Sequence, residues 1–242
     1  MLRFQPLWKF TAAMIPLFLG CVALGVWQLE RLQWKLALIA QVNRNLHAPA
    51  IPVQRALVLG AQAAQYHHVT LYGRFDNLKE AYVFTTDASG APAYHVLTPF
   101  TLDDGRTLLV DRGIVPERLR DPRTRAAGEL LGQQRITGVW RIPDAPGVFT
   151  PAPNPAKRIW YARDVEGIAK ADRIALAAPA IIEADATPNP GGWPKGGQTV
   201  IAFRNEHLQY AITWFALAAV TFAGWIAFHV AQGRLGGVQG RG

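Results

Sequence analysis

The stretch RNEHLQYAITWFALAAV, residues 204–220, sets polar and charged residues directly against a run apolar enough to enter a bilayer. At helical spacing His207 shares a face with Tyr210, Ala211, Trp214 and Ala218, and Asn205 is the expected N-cap with Glu206 in the first turn. Trp27, Gln28 and Arg31 close a second apolar run earlier in the chain. An imidazole in such a place can offer a nitrogen lone pair as a ligand, the aromatics can stack, and a guanidinium can pair with an anion. The competing assignment is an interfacial belt, in which Trp and Tyr anchor the helices at the headgroups and His207 only caps or hydrogen-bonds. Residue types alone leave both assignments open.

The elements that must position these residues are two long apolar runs. Residues 10–29 are twenty positions without a charge, and residues 208–231 are twenty-four, interrupted only by Gln209 and His229. At 1.5 Å per helical residue either run covers the roughly 30 Å of hydrocarbon in a bilayer. Arg3 and Lys9 precede the first run as a basic signal-peptide region would. However, the run exceeds the ~7–15 residues of a typical signal core and no A-x-A-like site follows Leu29, so an uncleaved anchor is expected. Phe18-Leu19-Gly20-Cys21 departs from a lipoprotein motif in opening on an aromatic residue.

Charge orients the spans. The flanks carry Arg3, Lys9, Arg234 and Arg241 with no acid, whereas residues 30–206 hold 21 basic and 17 acidic side chains. Both termini are therefore expected in the cytoplasm and the main domain outside. The expected organisation is a cytoplasmic tail over 1–9, a transmembrane helix over 10–29, a β-rich exterior domain with an amphipathic entry helix over 30–207, a second transmembrane helix over 208–231 and a tail over 232–242. A short N-terminus without an Arg- and Ser-rich leader points to the inner membrane of a bacterium and a periplasmic domain. Half of the net charge of +8 sits in the tails, so no nucleic-acid partner is required. Cys21, the only cysteine, excludes an intramolecular disulfide and a cysteine-pair metal or redox site.

Leu29, Leu32, Leu36 and Ile39 continue the first run at helical spacing, so the span is expected to leave the membrane as an amphipathic helix. Beyond HAPAIPV the pattern turns to short β-branched and aromatic runs, with Asp103-Asp104-Gly105 as a hairpin turn and DVEGIAKAD, capped by Asp164, as one short helix. The fold class is thus an α+β membrane protein, two transmembrane helices flanking a mostly antiparallel β-sheet or partly closed barrel. Ser89, the only serine, lacks the setting of a nucleophile. His67 and His68, adjacent in a strand, point to opposite faces and are expected to be satisfied or solvent-facing. His95 is expected to pack across the sheet, and Asp111 to make a local ion pair or turn contact beside Arg112. His229 is expected at the inner boundary, and Ala219, Ala223 and Ala227, with Gly20 and Gly25, offer a small-residue route for close packing within the chain or against another membrane protein. No phosphate loop, zinc-protease or dinucleotide motif is present.

LGVWQLERLQWKLALI, YHVLTPFTLDDGRTLLVDRGIVP and RNEHLQYAITWFALA, with VTLYGRFD, GVFTPAPNP and WYARD between them, resemble the Surfeit locus family of cytochrome c oxidase assembly proteins. The one departure is Asp111-Arg112-Gly113-Ile114, where the family often has Asn-Arg-Gly-Trp. The resemblance implies a non-enzymatic membrane assembly factor for a haem-copper terminal oxidase, acting beside its catalytic subunit, with haem a synthase as a further candidate partner. Some bacterial members are described as binding haem a, which makes haem a the expected cofactor; the candidate site is the set read above from the residues, His207 as iron ligand with Tyr210, Trp214, Trp27 and Arg31 around it. The alternatives are a structural chaperone of subunit intermediates that never binds haem and a membrane-anchored periplasmic enzyme.

The basic flanks predict that a reporter fused after Gly242 behaves as cytoplasmic and one inserted into the loop at residues 87–92 as periplasmic. A periplasmic C-terminus would overturn this orientation.

Overall fold

The computed structural model describes residues 2–199, 203 and 205–237; Arg204 and the basic-tail residue Arg241 lie outside them. The chain forms two compact units, Met1–Gln41 with Ala202–Gly242, and Val42–Ile201.

The first unit is built on α1 (Trp8–His47), whose last residues from Val42 belong to the second unit, and on α4 (His207–Ala231), both long and apolar enough to cross a membrane. The run at 10–29 lies inside α1, which continues without a break through the amphipathic stretch. Pro16 is accommodated within it, as prolines in apolar spanning helices often are. The helices run antiparallel, so contacts that rise in number along one fall along the other. Phe10 meets Phe228 at a ring separation of 4.5 Å and Phe18 meets Phe222 at 6.1 Å. A Cβ at Gly25 would lie 2.8 Å from the Phe215 ring, so the helices close tightly there. Cys21, Ala211 and Ala218 are buried. Seven-residue steps recur in this contact, as Phe18 and Gly25 on α1 and as Ala211 and Ala218 on α4, the spacing of a helix pair that keeps one stripe in contact. Of the expected small residues Gly25 makes the close approach, whereas Ala219, Ala223 and Ala227 are exposed and Gly20 has nothing within 4 Å, so the alanine stripe does not face α1. The flanks are more than tails, because β1 (Leu2–Phe4) pairs antiparallel with β10 (Leu235–Gly237).

The second unit holds β2 (Ile51–Pro52), α2 (Val53–Leu59), β3 (His68–Phe75), β4 (Ala81–Thr86), β5 (Pro92–Leu102), β6 (Thr107–Pro116), β7 (Gln134–Arg141), β8 (Ile159–Trp160), α3 (Val165–Asp172) and β9 (Leu176–Ala184). The strands form one sheet in the order β2-β3-β7-β9-β6-β5-β4-β8, and an additional β3–β5 pairing closes five of them into a barrel. The expected barrel is present, although the sheet is mixed: β2–β3, β4–β8 and β6–β9 run parallel. Closure demands a close approach at Gly73, where a Cβ would lie 2.1 Å from the Thr101 carbonyl oxygen.

Period-two alternation fills the barrel. Val69 and Leu71, Phe100 and Leu102, Leu108 and Val110, Trp140, and Ala180 and Ile182 form one buried cluster, with Val53 and Ala56 of α2 packed into it. The alternate residues Leu97, Leu109 and Ile181 belong to a second cluster with Val165 and Ile168 of α3. The central strands are therefore buried on both faces, which leaves few places where a charge can stand without a partner. The helix expected over DVEGIAKAD is α3, and the Asp164 carboxylate accepts the Gly167 N–H at 2.9 Å. The hairpin at Asp103-Asp104-Gly105 joins β5 to β6 as expected.

Gly113 in β6 adopts φ +110°, and a Cβ there would lie 1.9 Å from the Lys195 carbonyl oxygen. Gly105 has φ +85° with nothing within 4 Å. Gly105→Ala should cost about 1–2 kcal/mol from the left-handed backbone alone. Gly113→Ala should lower the thermal midpoint of the purified full chain considerably further, because backbone must also move; equal midpoints would contradict the close approach.

Candidate functional site

At the end of the helical unit where α4 begins, the residue before His207 is Glu206, which occupies the N-cap position without a side-chain cap bond. Asn205 is thus not the cap that its residue type suggested, and its buried Oδ1 has no hydrogen-bond partner among the described residues. His207, in the first helical position, instead reaches across to α1. Its Nδ1 lies 2.8 Å from Gln28 Oε1. An amide oxygen accepts, so Nδ1–H donates, and in the neutral imidazole Nε2 then keeps its lone pair.

The other expected site residues take different places. Ala211 and Ala218 are buried and Trp214 is half-buried, whereas Tyr210 and Trp27 are about half exposed, at 51% and 49%. Arg31 stacks on Trp34, its guanidinium carbon 4.5 Å from the ring centroid, and Lys35 lies 5.3 Å over Phe203. The structure therefore joins His207 directly to Gln28, and Arg31 directly to Trp34. Gln28 carries a hydrogen bond across the pair at this level. Its signal in the sequence was a polar side chain at the end of an otherwise apolar run.

His229, read from sequence as an ordinary boundary residue, is fully buried. Its Nδ1 lies 2.8 Å from the Trp225 carbonyl oxygen and its Nε2 accepts the Leu7 N–H at 3.1 Å. Trp225 Nε1 donates to Thr11 Oγ1 at 3.0 Å, and the Trp225 and His229 rings are 4.4 Å apart. Leu7 directly precedes α1, where backbone N–H groups lack intrahelical acceptors, so His229 serves as a cap supplied by the neighbouring helix. Both its nitrogens are engaged, which removes it as a ligand.

The second unit holds two charge clusters that sequence reading missed. Asp111 and Arg112 do not pair with each other; successive residues of β6 face opposite ways, and each enters its own cluster. On one face His95 Nδ1 lies 2.9 Å from Asp111 Oδ2, and Arg163 Nε donates to the same oxygen at 3.2 Å. Gly113 N–H donates to Asp111 Oδ1 at 3.0 Å, and Glu183 approaches Arg163 at 4.0 Å. Burial pushes the Asp111 carboxyl up, but His95, Arg163 and the Gly113 N–H together hold it below the usual carboxylate range. His95 is thus a polar partner of Asp111 and meets neither His67 nor His68. His68 is satisfied as expected, its Nε2 2.7 Å from Asp185, whereas the buried Nδ1 of His67 has no hydrogen-bond partner among the described residues.

On the other face Arg112 is 2% exposed and donates to Glu80 at 3.3 Å and to the Gly128 carbonyl oxygen, with its guanidinium 4.6 Å over the Phe75 ring. Arg125 pairs with Glu80 and with Glu129 at 2.6 Å. Tyr82 donates its hydroxyl to Glu80 at 3.0 Å, and burial, reinforced by that carboxylate, holds its phenol above the ordinary value. The cluster ties the segment at 117–129 to β4 and β6. Its trace in the sequence was a charged pair in the middle of the apolar run LLVDRGIV. Among the described residues no group of three or more His, Cys, Asp or Glu side chains is placed to hold a metal ion.

A family model described as the SURF1 family matches residues 15–219. Surfeit locus protein 1 of Mus musculus is 37% identical over 220 residues, covering 84% of this chain and 70% of that protein. The Homo sapiens protein of the same name is 36% identical over 221 residues, covering 84% and 71%. A SURF1-like protein of Monosiga brevicollis is 37% identical over 231 residues, covering 89% and 86%.

The Asp111 cluster predicts a pH dependence. A depressed folded pKa contributes stability that is present above the unfolded value of about 3.9 and is lost as pH falls through the folded value. Asp111→Asn leaves Arg163 and His95 facing a neutral group and should cost about 3 kcal/mol near neutrality. Urea unfolding of both proteins should show that deficit shrinking below about pH 4; a deficit that stays constant through acid pH would exclude the ionised pair.

Proposed function

Because this chain belongs to the SURF1 family, whose members are cytochrome oxidase assembly factors, we propose that it assists maturation of a haem-copper terminal oxidase by holding haem a at His207 beside the catalytic subunit. The proposed setting is the inner membrane of a bacterium, with both termini cytoplasmic and the barrel periplasmic. Haem a synthase is a candidate upstream partner. Carrying a group from one protein to another requires reversible binding and release, and no catalysis by the chain itself.

The observation that supports the haem reading is the state of His207. It stands at the start of a spanning helix with Nδ1–H engaged by Gln28 and no described residue bonded to Nε2. Imidazole is a common axial donor to haem iron. The exposed rings of Trp27 and Tyr210 offer flat apolar area at the same end of the helix pair. These features fit a group held by one protein nitrogen and apolar surface, which suits a carrier because few bonds must break on release. Haem a, when carried, supplies the redox-active iron that the finished oxidase requires.

Arg31 favours the second reading, a structural chaperone without haem. Its guanidinium lies against Trp34, as an interfacial anchor would. On that reading the bond between His207 and Gln28 serves only to pair the helices.

Complementation tests the assembly role, and the absorption spectrum of the purified protein separates the two readings. A strain lacking this chain should show low haem-copper oxidase activity with continued synthesis of the unassembled catalytic subunit, and the wild-type chain should restore the activity. Wild-type protein purified from cells making haem a should carry a bound-haem spectrum. His207→Ala should lose or alter that spectrum while remaining folded, and His47→Ala, on the exposed last turn of α1, should retain it. Because His229 is buried against α1, its replacement should loosen the helix pair and is no silent control. A wild-type-like spectrum in folded His207→Ala would eliminate the ligand role; normal oxidase activity in the deletion strain would remove the assembly reading.

A further inference from the structure

We propose that Gln28 is the positioning residue for His207, fixing the imidazole proton on Nδ1 so that Nε2 is presented as the donor atom. The identity of the acceptor at Nε2 rests on the haem reading above; the tautomer assignment does not.

Three observations converge. First, Gln28 Oε1 stands 2.8 Å from His207 Nδ1, and a carbonyl oxygen has no proton to give. The proton is therefore on Nδ1, opposite to the Nε2–H form that imidazole side chains favour in water. Without this acceptor the outward nitrogen would carry the proton and could not donate its electron pair. Second, the approach of the helices one turn away is tight enough for the amide to reach. A side chain at Gly25 would collide with the Phe215 ring at 2.8 Å, and Gln28 follows Gly25 by three residues on the same face. Third, the other histidine of α4 shows the contrasting arrangement. His229 has Nδ1 on a carbonyl oxygen and Nε2 on a backbone N–H, so nothing is left over. Among the described residues, His207 is pinned through Nδ1 alone.

The chemistry has a general logic. A histidine that donates electrons through one nitrogen is commonly oriented by an acceptor on the other, which selects the tautomer and restrains the ring. An amide does so without bringing a charge to the edge of an apolar span, where a carboxylate would be costly.

The test uses the full chain in lipid nanodiscs, labelled with ¹⁵N-histidine, with the His207 signals identified by their loss in His207→Ala. Ring-nitrogen NMR of the haem-free protein should place the proton on Nδ1. Gln28→Leu should move it to Nε2, whereas Gln28→Glu, which keeps an acceptor oxygen, should leave it on Nδ1. Titration with haem a should show an affinity about 10–100-fold lower for Gln28→Leu. A wild-type proton on Nε2, or a Gln28→Leu tautomer identical to wild type, overturns the proposal, and the wild-type measurement decides even if the variant does not fold. Wild-type protein that carries the Nδ1 proton, loses it in Gln28→Leu and yet binds no haem would uphold the role of Gln28 and sink the haem reading instead.

Discussion

A polar atom in hydrocarbon must find its partner inside the protein, because no water is there to take its place. The pair of apolar helices is organised around that requirement. At one end Gln28 answers His207; at the other, the Leu7 N–H and the Trp225 carbonyl answer His229. Between them the contact is apolar, with Phe18 on Phe222 and Phe215 over Gly25. Lipid tails are as apolar as these side chains, so burial gives the helices little reason to prefer one alignment over another. Two hydrogen-bonded histidines, about 33 Å apart along α4 at 1.5 Å per residue, supply that preference.

The barrel meets the same requirement in a different way. Its central strands are covered on both faces, so the charges on β6 must be neutralised where they stand. Asp111 turns to one face, where His95 and Arg163 meet it, and Arg112 turns to the other, where Glu80 meets it. Two mixed-charge clusters, one around an acid of β6 and one around its neighbouring base, thus flank a single strand. Replacing such groups by apolar residues of similar volume is often tolerated, whereas removing one partner is costly. Their effect here is to fix positions: Arg125 and Arg112 hold the segment at 117–129, and Gly113 between them allows Lys195 to bridge to Ile114.

The two histidines of α4 illustrate how neighbours divide one residue type between tasks. His229 has spent both nitrogens on structure, capping the start of α1 from the facing helix. His207 has spent one. On the proposed reading the remaining nitrogen is what the helix pair presents to its cargo, and the rigidity of the pair is what keeps that nitrogen oriented. The aromatic residues around it are less specific, since exposed Trp and Tyr suit a headgroup region whether or not a planar group docks there.

Much of this was legible without coordinates. Spans follow from length and apolarity, strands from β-branched alternation, the α3 cap from Asp164, and the hairpin from Asp-Asp-Gly, because each is a local pattern governed by local geometry. His207, with its place at the head of a span, was equally visible. What the tertiary structure decided is pairing. Residue types could not say that Gln28, rather than Arg31, reaches His207, since the choice depends on how α1 rotates against α4. Nor could they say that the alanine stripe stays exposed while Gly25 meets Phe215, or that Asp111 and Arg112, adjacent in sequence, belong to separate networks. Glu80 and Arg125 stand 45 positions apart, and only the closed sheet brings them together. Sequence sets what each side chain can do; the fold selects the partner, because a hydrogen bond or ion pair acts over a few ångströms and the chain must be folded before those distances exist.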